Sequence, residues 1–157
     1  MTKIAVIGIG QSMRGDDAAG IEAVRQWSEK YPETAVRPEI QIEADELPGL
    51  GLLDTLHEVD AAVLVDAVQS AAKPGTIYRL DEDELAAFIS DSKSAHGWGV
   101  AETIRMGRQL DEVNSAIRII GIEIEQVEIG TGLSKSVRDA MPAICEIIEE
   151  ELSILLR

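Results

Sequence analysis

The chain has 157 residues, enough for one domain with a well-buried core, and we expect a single domain spanning residues 1–157. Its 29 acidic and 14 basic residues give a net charge of -15, which argues against a nucleic-acid partner because such partners require basic patches. Gly8 and Gly10 break the apolar N-terminus too early for a signal peptide or a membrane helix, and the single Cys145 cannot form an internal disulfide. We therefore expect a cytoplasmic monomer that binds neither nucleic acid nor membrane.

Strand patterns alternate with helical patterns along the chain. Short β-branched and apolar runs predict strands at residues 4–9, 40–43, 61–65, 76–79 and 117–124. Apolar residues at helical spacing predict helices at residues 18–30, 50–56 and 100–110, and a longest helix from Ser134 onward. Strands separated by helices imply parallel pairing with right-handed crossovers. We expect a three-layer α/β/α sandwich around a mostly parallel, twisted sheet of about five strands, in which residues 76–79 can form an antiparallel edge.

The last helix carries a long apolar stripe, with Glu149-Glu150-Glu151 expected to lie mostly away from it. Pro142 interrupts the pattern. Proline lacks the backbone N–H that a helix interior needs, so this residue should either kink the helix or mark its true start.

The first strand ends in Gly8-Ile9-Gly10, and two adjacent acids, Asp16 and Asp17, open the helix that follows. In a nucleotide-binding loop the helix N-terminus would hold a phosphate, and two carboxylates there would repel it. Met13 also stands where the third glycine of a dinucleotide fingerprint would fall. The loop is therefore predicted to meet a cation. The alternative is that Asp16 caps its own helix while Asp17 favours the positive end of the helix dipole.

Further acids follow the other parallel strands. Asp45 follows the second strand, and Asp66 ends the apolar run at residues 61–65. Ligands of open α/β sheets bind outside the carboxyl ends of the strands, so these acids should lie near the first loop. An ionised carboxylate on a buried strand is costly unless a cation or several donors meet it. The alternative for Asp66 is a turn cap near Gln69-Ser70.

The two histidines have different contexts. His57 ends a helical stretch, where an imidazole is an ordinary capping residue. His96 lies in a loop with Gly97 and Gly99, which permit close backbone approach, although a lone loop histidine is often simply exposed. Two carboxylates and one imidazole would form a three-ligand set with open positions, suited to a divalent metal held more weakly than structural zinc.

In these segments the sequence resembles the hydrogenase maturation endopeptidases, which trim the C-terminal extension of the large subunit of nickel-iron hydrogenases. The family has a G-x-G-N strand end, followed by four residues and then two adjacent acids. Gly8-Ile9-Gly10-Gln11 and Asp16-Asp17 match this pattern, with Gln in place of Asn. Asp66-Ala67 matches the D-A pair that ends its third strand, and Ser94-Ala95-His96 matches its S-x-H loop. Gly121-Ile122-Glu123 and residues 130–134 resemble its last strand and following loop.

Two departures from the family pattern bear on which hydrogenase class is served. One is Gln11, and the other is Asp45-Glu46-Leu47-Pro48, which replaces a glycine- and threonine-rich turn.

The resemblance implies an aspartyl-type endopeptidase with no permanently bound cofactor or metal. Nickel would be supplied by the protein substrate, a hydrogenase large-subunit precursor, and recognised by Asp17, Asp66 and His96 as both metal contacts and catalytic residues. A divalent ion can polarise the scissile carbonyl or activate a water, while a carboxylate or His96 handles the proton. No serine or cysteine nucleophile is required.

A signalling receiver domain is the alternative of a different class. There Asp66 would accept a phosphoryl group, and Asp16 and Asp17 would hold magnesium. Receivers place their acids directly at the strand end and a lysine just after the last strand. Here residues 8–15 intervene, and residues 125–128 (Glu-Gln-Val-Glu) follow the last strand, so the pattern favours the peptidase.

Overall fold

The computed structural model describes residues 2–46, 50–91, 99–125 and 128–157. Within these ranges five strands form one sheet in the order β2-β1-β3-β5-β4. The first four strands in that order pair in parallel, and β4 pairs antiparallel with β5 at the edge. The strands are β1 (Ile4–Ile9), β2 (Ile40–Asp45), β3 (Ala61–Val68), β4 (Ile77–Asp81) and β5 (Ala116–Glu123). The predicted α/β fold, mostly parallel sheet and antiparallel edge are confirmed.

Helices connect the strands and cover both faces of the sheet. They are α1 (Ala19–Lys30), α2 (Pro32–Ala35), α3 (Leu50–Glu58), α4 (Glu82–Asp91), α5 (Gly99–Gln109) and α6 (Lys135–Leu155), with a 3-10 turn at Gly15–Ala18 before α1. The sequence patterns did not predict α2 or α4. A capping box begins α4: the Glu84 N–H donates to Asp81 Oδ1 at 2.8 Å, and the Asp81 N–H donates to Glu84 Oε1 at 3.1 Å.

Alternate residues along the strands feed two separate cores. Val63 and Val65 of β3 face the side covered by α1 and α6, whereas Ala62 and Leu64 face the side covered by α3 and α5. Gly20 lets α1 lie directly on the sheet, because a side-chain carbon at this position would be only 2.1 Å from the Val65 carbonyl oxygen. The start of α1 is thereby fixed against the carboxyl end of β3.

The longest helix decides one prediction and contradicts another. Pro142 lies inside α6, on its exposed side, so of the two predicted alternatives the one in which it marks the helix start is excluded. Glu151, expected to face away from the core, is buried: its Oε1 accepts from Arg79 Nε of β4 at 2.6 Å, and its Oε2 accepts from Arg118 Nε of β5 at 3.0 Å. Burial alone would raise the pKa of Glu151, but the hydrogen bonds from the two arginines outweigh it and lower the pKa. The edge strand is thus fastened to α6.

Candidate active site

The candidate site lies where the order of the strands reverses. The chain leaves β1 for β2 on one side and later returns to β3 on the other side of β1, so a crevice opens at the carboxyl ends of β1 and β3. Asp17 follows β1, and Asp66 lies in β3. Parallel pairing, with Gly8 opposite Val65, puts the two acids at the same edge of the sheet.

The loop after β1 folds back on Asp17. Gly10 has a φ of 143°, and a side-chain carbon there would be 1.9 Å from the Asp17 carbonyl oxygen, so only glycine fits. The Gln11 N–H donates to Asp17 Oδ2 at 3.2 Å. Ser12 donates to Glu46 Oε1 from its N–H at 3.0 Å and from its hydroxyl at 2.7 Å, and these bonds lower the pKa of Glu46. The loop is therefore held on both sides, with Asp17 half-buried beside it.

Asp66 is a buried acid with a strongly perturbed pKa. It is 9% exposed and lies within β3, which continues beyond it to Val68. Burial raises its pKa to about 8; the Ala67 N–H, which donates to Asp66 Oδ1 at 2.8 Å, opposes this rise, and the negative charge of Asp17 adds to it. The turn-cap alternative is wrong for Ser70, because the Ser70 N–H donates to Glu123 Oε2 instead, at 2.8 Å. The structure therefore brings Asp66 and Asp17 into electrostatic contact.

Asp16 has a different role from its neighbour. Its side chain is fully buried and accepts three hydrogen bonds from described residues: from the Ser134 N–H at 2.6 Å, the Ser134 hydroxyl at 2.7 Å and the Glu125 N–H at 2.9 Å. Ser134 is the N-cap of α6. The expectation that Asp16 caps its own helix is therefore wrong, because its carboxylate reaches across to the loop that starts α6.

The remaining predicted residues are not brought together to the same degree. Asp45 is the last residue of β2, opposite Ile9, and its carbonyl oxygen accepts from the Gly10 N–H at 3.1 Å. His57 is exposed near the end of α3, with Nδ1 3.0 Å from the Glu112 carbonyl oxygen. It lies at the end of the sheet where the parallel strands begin, away from Asp17 and Asp66. His57 thus bonds to the loop after α5 and not to a carbonyl of its own helix, so the structure does not show the helix capping that the sequence indicates.

His96 lies outside the described residues, so its place beside the two carboxylates stays a prediction. The helices that flank its segment are described. Arg108, near the end of α5, donates to Glu82 at the start of α4 at 2.7 Å, so these two helices run antiparallel. The antiparallel strand β4 ends where the parallel strands begin, and α4 starts there. Because α5 runs antiparallel to α4, α5 starts from the side where the parallel strands end, which is the side of Asp17 and Asp66.

Sequence reasoning missed a further buried carboxylate near the site. Glu123, at the end of β5, accepts hydrogen bonds from the Ser70 hydroxyl and from Tyr78 Oη, the latter at 3.0 Å, besides the Ser70 N–H. Burial, followed by Glu123 itself, raises the pKa of Tyr78. Glu123 thus ties the connection between β3 and β4 to β5. A glutamate that directly follows the apolar run at residues 119–122 was the available signal.

In the described ranges, no group of three or more His, Cys, Asp or Glu side chains is arranged to hold a metal ion. Cys145 is buried in α6, its Sγ lies 3.9 Å from the Ala23 carbonyl oxygen, and burial raises the pKa of its thiol. No helix of the described residues is both long enough and apolar enough to cross a membrane.

Comparison with known proteins identifies relatives along nearly the whole chain. The family model HycI, hydrogenase maturation protease, matches residues 47–151. The "Hydrogenase 2 maturation protease" of Escherichia coli K12 is 26% identical over 149 residues, covering 93% of this chain and 88% of that protein. The "Hydrogenase expression/formation protein HupD" of Bradyrhizobium diazoefficiens is 29% identical over 154 residues, covering 94% of this chain and 79% of its own length.

Among solved structures, the hydrogenase maturating endopeptidase HybD from E. coli has the same fold, with a TM-score of 0.80 at 23% identity, covering 97% of this chain and 93% of that chain. An endopeptidase from E. coli solved in solution has a TM-score of 0.77 at 25% identity, covering 94% and 90%. Because the family model spans about two thirds of the sequence, the chain belongs to the hydrogenase maturation proteases. It is therefore a peptidase, and a receiver domain is not favoured.

Proposed function

We propose that this protease removes the C-terminal extension of a nickel-iron hydrogenase large-subunit precursor after nickel has been inserted into it. Nickel carried by the precursor is the feature that the site recognises, through Asp17, Asp66 and His96. The observation that carries the proposal is the buried Asp66, whose pKa is raised to about 8 beside the charge of Asp17. The names of relatives such as the hydrogenase 2 maturation protease of E. coli support the substrate class.

Asp17 and Asp66 together are called the acidic pair from here on. A cation carried by the substrate has the charge and chemistry to bind between them. At neutral pH Asp66 largely keeps its proton, because ionising it would put a second negative charge in a poorly hydrated place next to Asp17. A divalent ion entering the crevice reverses that balance: Asp66 loses its proton, and both carboxylates become ligands. The two carboxylates thus act as metal ligands only when the substrate brings the divalent ion. An aspartyl-type protease of this kind holds no metal ion without its substrate.

Peptide hydrolysis then needs three things at the crevice. A water must be activated and lose a proton, the scissile carbonyl must be polarised, and the leaving amine must gain a proton as the C–N bond breaks. The precursor's nickel can polarise the carbonyl or acidify the water. A carboxylate of the acidic pair, or His96, would take and return the proton. No nucleophilic cysteine takes part, because the thiol of Cys145 is buried under α1.

The test offers nickel-loaded and nickel-free large-subunit precursors to the purified protein and follows the release of a C-terminal peptide by mass spectrometry. We expect cleavage of the loaded precursor only, with no stoichiometric metal in the protease itself. Asp17→Asn should lower the rate by orders of magnitude, whereas Asp54→Asn, an exposed acid on α3, is the control. Equal cleavage of both precursors, or a zinc ion in the purified protease that survives chelation, would contradict the proposal.

A further inference from the structure

Two exposed apolar side chains stand next to the acidic crevice, on two different loops. Met13, in the loop after β1, is 69% exposed, and Ile129, in the loop between β5 and α6, is 77% exposed. The loops meet directly, because the Gly130 N–H donates to the Met13 carbonyl oxygen at 3.0 Å. We call Met13 and Ile129 the apolar rim.

The backbone beneath the apolar rim is fixed from several directions. Ser12 is held by its two bonds to Glu46, and the Arg14 N–H donates to the Gln11 carbonyl oxygen at 3.1 Å. On the other loop, Asp16 holds Glu125 and Ser134. Large apolar side chains are therefore displayed on a hydrogen-bonded frame. Binding to a frame that is already ordered costs less conformational entropy than binding to a loose loop.

The position of the apolar rim distinguishes it from the two other large apolar residues of the described chain that are more than 60% exposed. Val36 is 79% exposed and Leu110 is 61% exposed. Val36 follows α2 and precedes β2, and Leu110 follows α5 and precedes β5, so both lie towards the amino edge of the sheet. Met13 and Ile129 lie at the carboxyl edge, with Met13 four positions before Asp17. A ligand bound at the acidic pair would therefore pass beside them.

Charge around the apolar rim indicates the chemistry of that ligand. Glu46 touches Ser12 next to Met13, and Glu128 precedes Ile129; both acids are exposed. Arg14 is an exposed base next to Met13, and Lys135, the exposed base that follows the second loop, is paired with Asp139 at 2.6 Å. The acidic pair lies beside them, and the whole chain carries -15. An acidic surface with an apolar centre complements a segment that is apolar with basic flanks, and such complementarity favours encounter and orientation.

We propose that Met13 and Ile129 bind a segment of the precursor polypeptide next to the scissile bond, and that this segment carries apolar side chains flanked by basic ones. This inference rests on the proposed function, and it assigns to the apolar rim the binding of polypeptide, separately from the contact between the acidic pair and the metal. The rim is a binding element: it should set KM and leave the chemical step to the residues in the crevice.

The experiment measures kcat and KM for cleavage of the nickel-loaded large-subunit precursor encoded in the same organism as this chain. The double variant Met13→Ser/Ile129→Ser is compared with Val36→Ser/Leu110→Ser, which removes two apolar side chains of similar exposure at the far edge. We expect the rim variant to raise KM about tenfold or more with kcat changed less than threefold, and the control to match wild type. Glu128→Lys should raise KM several-fold, and thermal unfolding verifies that each variant folds.

Each outcome bears on a separate claim. If wild type cleaves the precursor but the rim variant keeps the wild-type KM, or if both double variants raise KM equally, the rim inference is wrong while the proposed function stands. A wild-type KM in Glu128→Lys likewise overturns the charge complementarity that the inference requires. If wild type leaves the loaded precursor intact, the proposed function fails, and the inference that rests on it is overturned with it.

Discussion

Replacing Asp66 by Asn should stabilise the protein at neutral and alkaline pH and have little effect at acid pH. The pKa of Asp66 is about 8 in the folded state against an ordinary 3.8 in the unfolded chain. Between these values the native state holds a proton that the unfolded state has released. The free energy of unfolding therefore falls as pH rises from about 4 to about 8, because stability decreases with pH wherever the native state binds more protons.

The size of the effect follows from the same two values. Each pH unit in this window is worth about 1.4 kcal/mol, and about three units separate 3.8 from pH 7, so Asp66 lowers stability by up to about 4 kcal/mol there. Local relaxation and entry of water into the crevice reduce such penalties, and about 2 kcal/mol is the gain we expect from Asn at pH 7. The Asn side-chain oxygen can still accept from the Ala67 N–H, so the substitution need not leave a backbone donor unpaired.

The assay is denaturant unfolding of wild type and Asp66→Asn at intervals from pH 4 to pH 9, supported by thermal scans. For a chain of this length about 2 kcal/mol corresponds to a rise of about 4–8 °C in Tm. The difference between the two proteins should be near zero at pH 4 and grow towards pH 8. Asp54→Asn, at an exposed position of α3, controls for the loss of one negative charge from a strongly acidic chain.

The pH dependence decides the outcome. A stability difference that is constant from pH 4 to pH 9 would mean that Asp66 does not titrate in this window, and the account of a proton held beside Asp17 would be wrong. The same conclusion follows if Asp54→Asn reproduces the effect of Asp66→Asn. Activity provides an independent check, since the stabilised variant should lose precursor cleavage.

Three further predictions test other parts of the structure. Asp16→Asn should destabilise by about 2–4 kcal/mol in denaturant unfolding, because one amide oxygen cannot replace a carboxylate that accepts three bonds; a loss below 0.5 kcal/mol would contradict this. His96→Ala should abolish precursor cleavage with Tm unchanged, and His57→Ala should change neither; equal effects would remove the special role of His96. Gly20→Ala should cost more than about 3 kcal/mol of stability, because the added carbon would collide with the Val65 carbonyl oxygen of β3. Gly51→Ala, where the added carbon has no atom within 4 Å, should be neutral or stabilising by up to about 1 kcal/mol. Similar unfolding curves for the two variants would refute the close packing of α1 on β3.

The parallel sheet and the acidic crevice could be predicted because both are encoded locally. Apolar runs define the parallel strands, and a parallel sheet brings their carboxyl ends together, so Asp17 and Asp66 come to the same end of the sheet although they are 49 positions apart in the sequence. The helix α4 was missed because its apolar pattern is weak. Its capping residues, Asp81 and Glu84, were the local signal that was not used.

Other features depend on partners that are distant in sequence. Asp16 bonds to Ser134, 118 positions away, and a local pattern can only suggest that an acid at a helix start caps that helix. Glu151 lies seven residues after Ile144 and thus on the apolar stripe of α6, yet a charged residue there is read as exposed unless its arginines are known. Those arginines, 33 and 72 positions away, come together with it only in the folded sheet.

The ion pairs that fasten β4 to α6 also affect whether an extended polypeptide can pair with this edge of the sheet. An open sheet edge offers unpaired backbone groups to any extended polypeptide, and proteins often place charge there to prevent such pairing. Arg79 lies in the middle of β4 and is held by Glu150 and Glu151 of α6, at 2.7 and 2.6 Å. An incoming strand would have to pack beside this ionic cluster. The cluster therefore disfavours the addition of an extended polypeptide, or of another copy of this chain, as a further strand along this side.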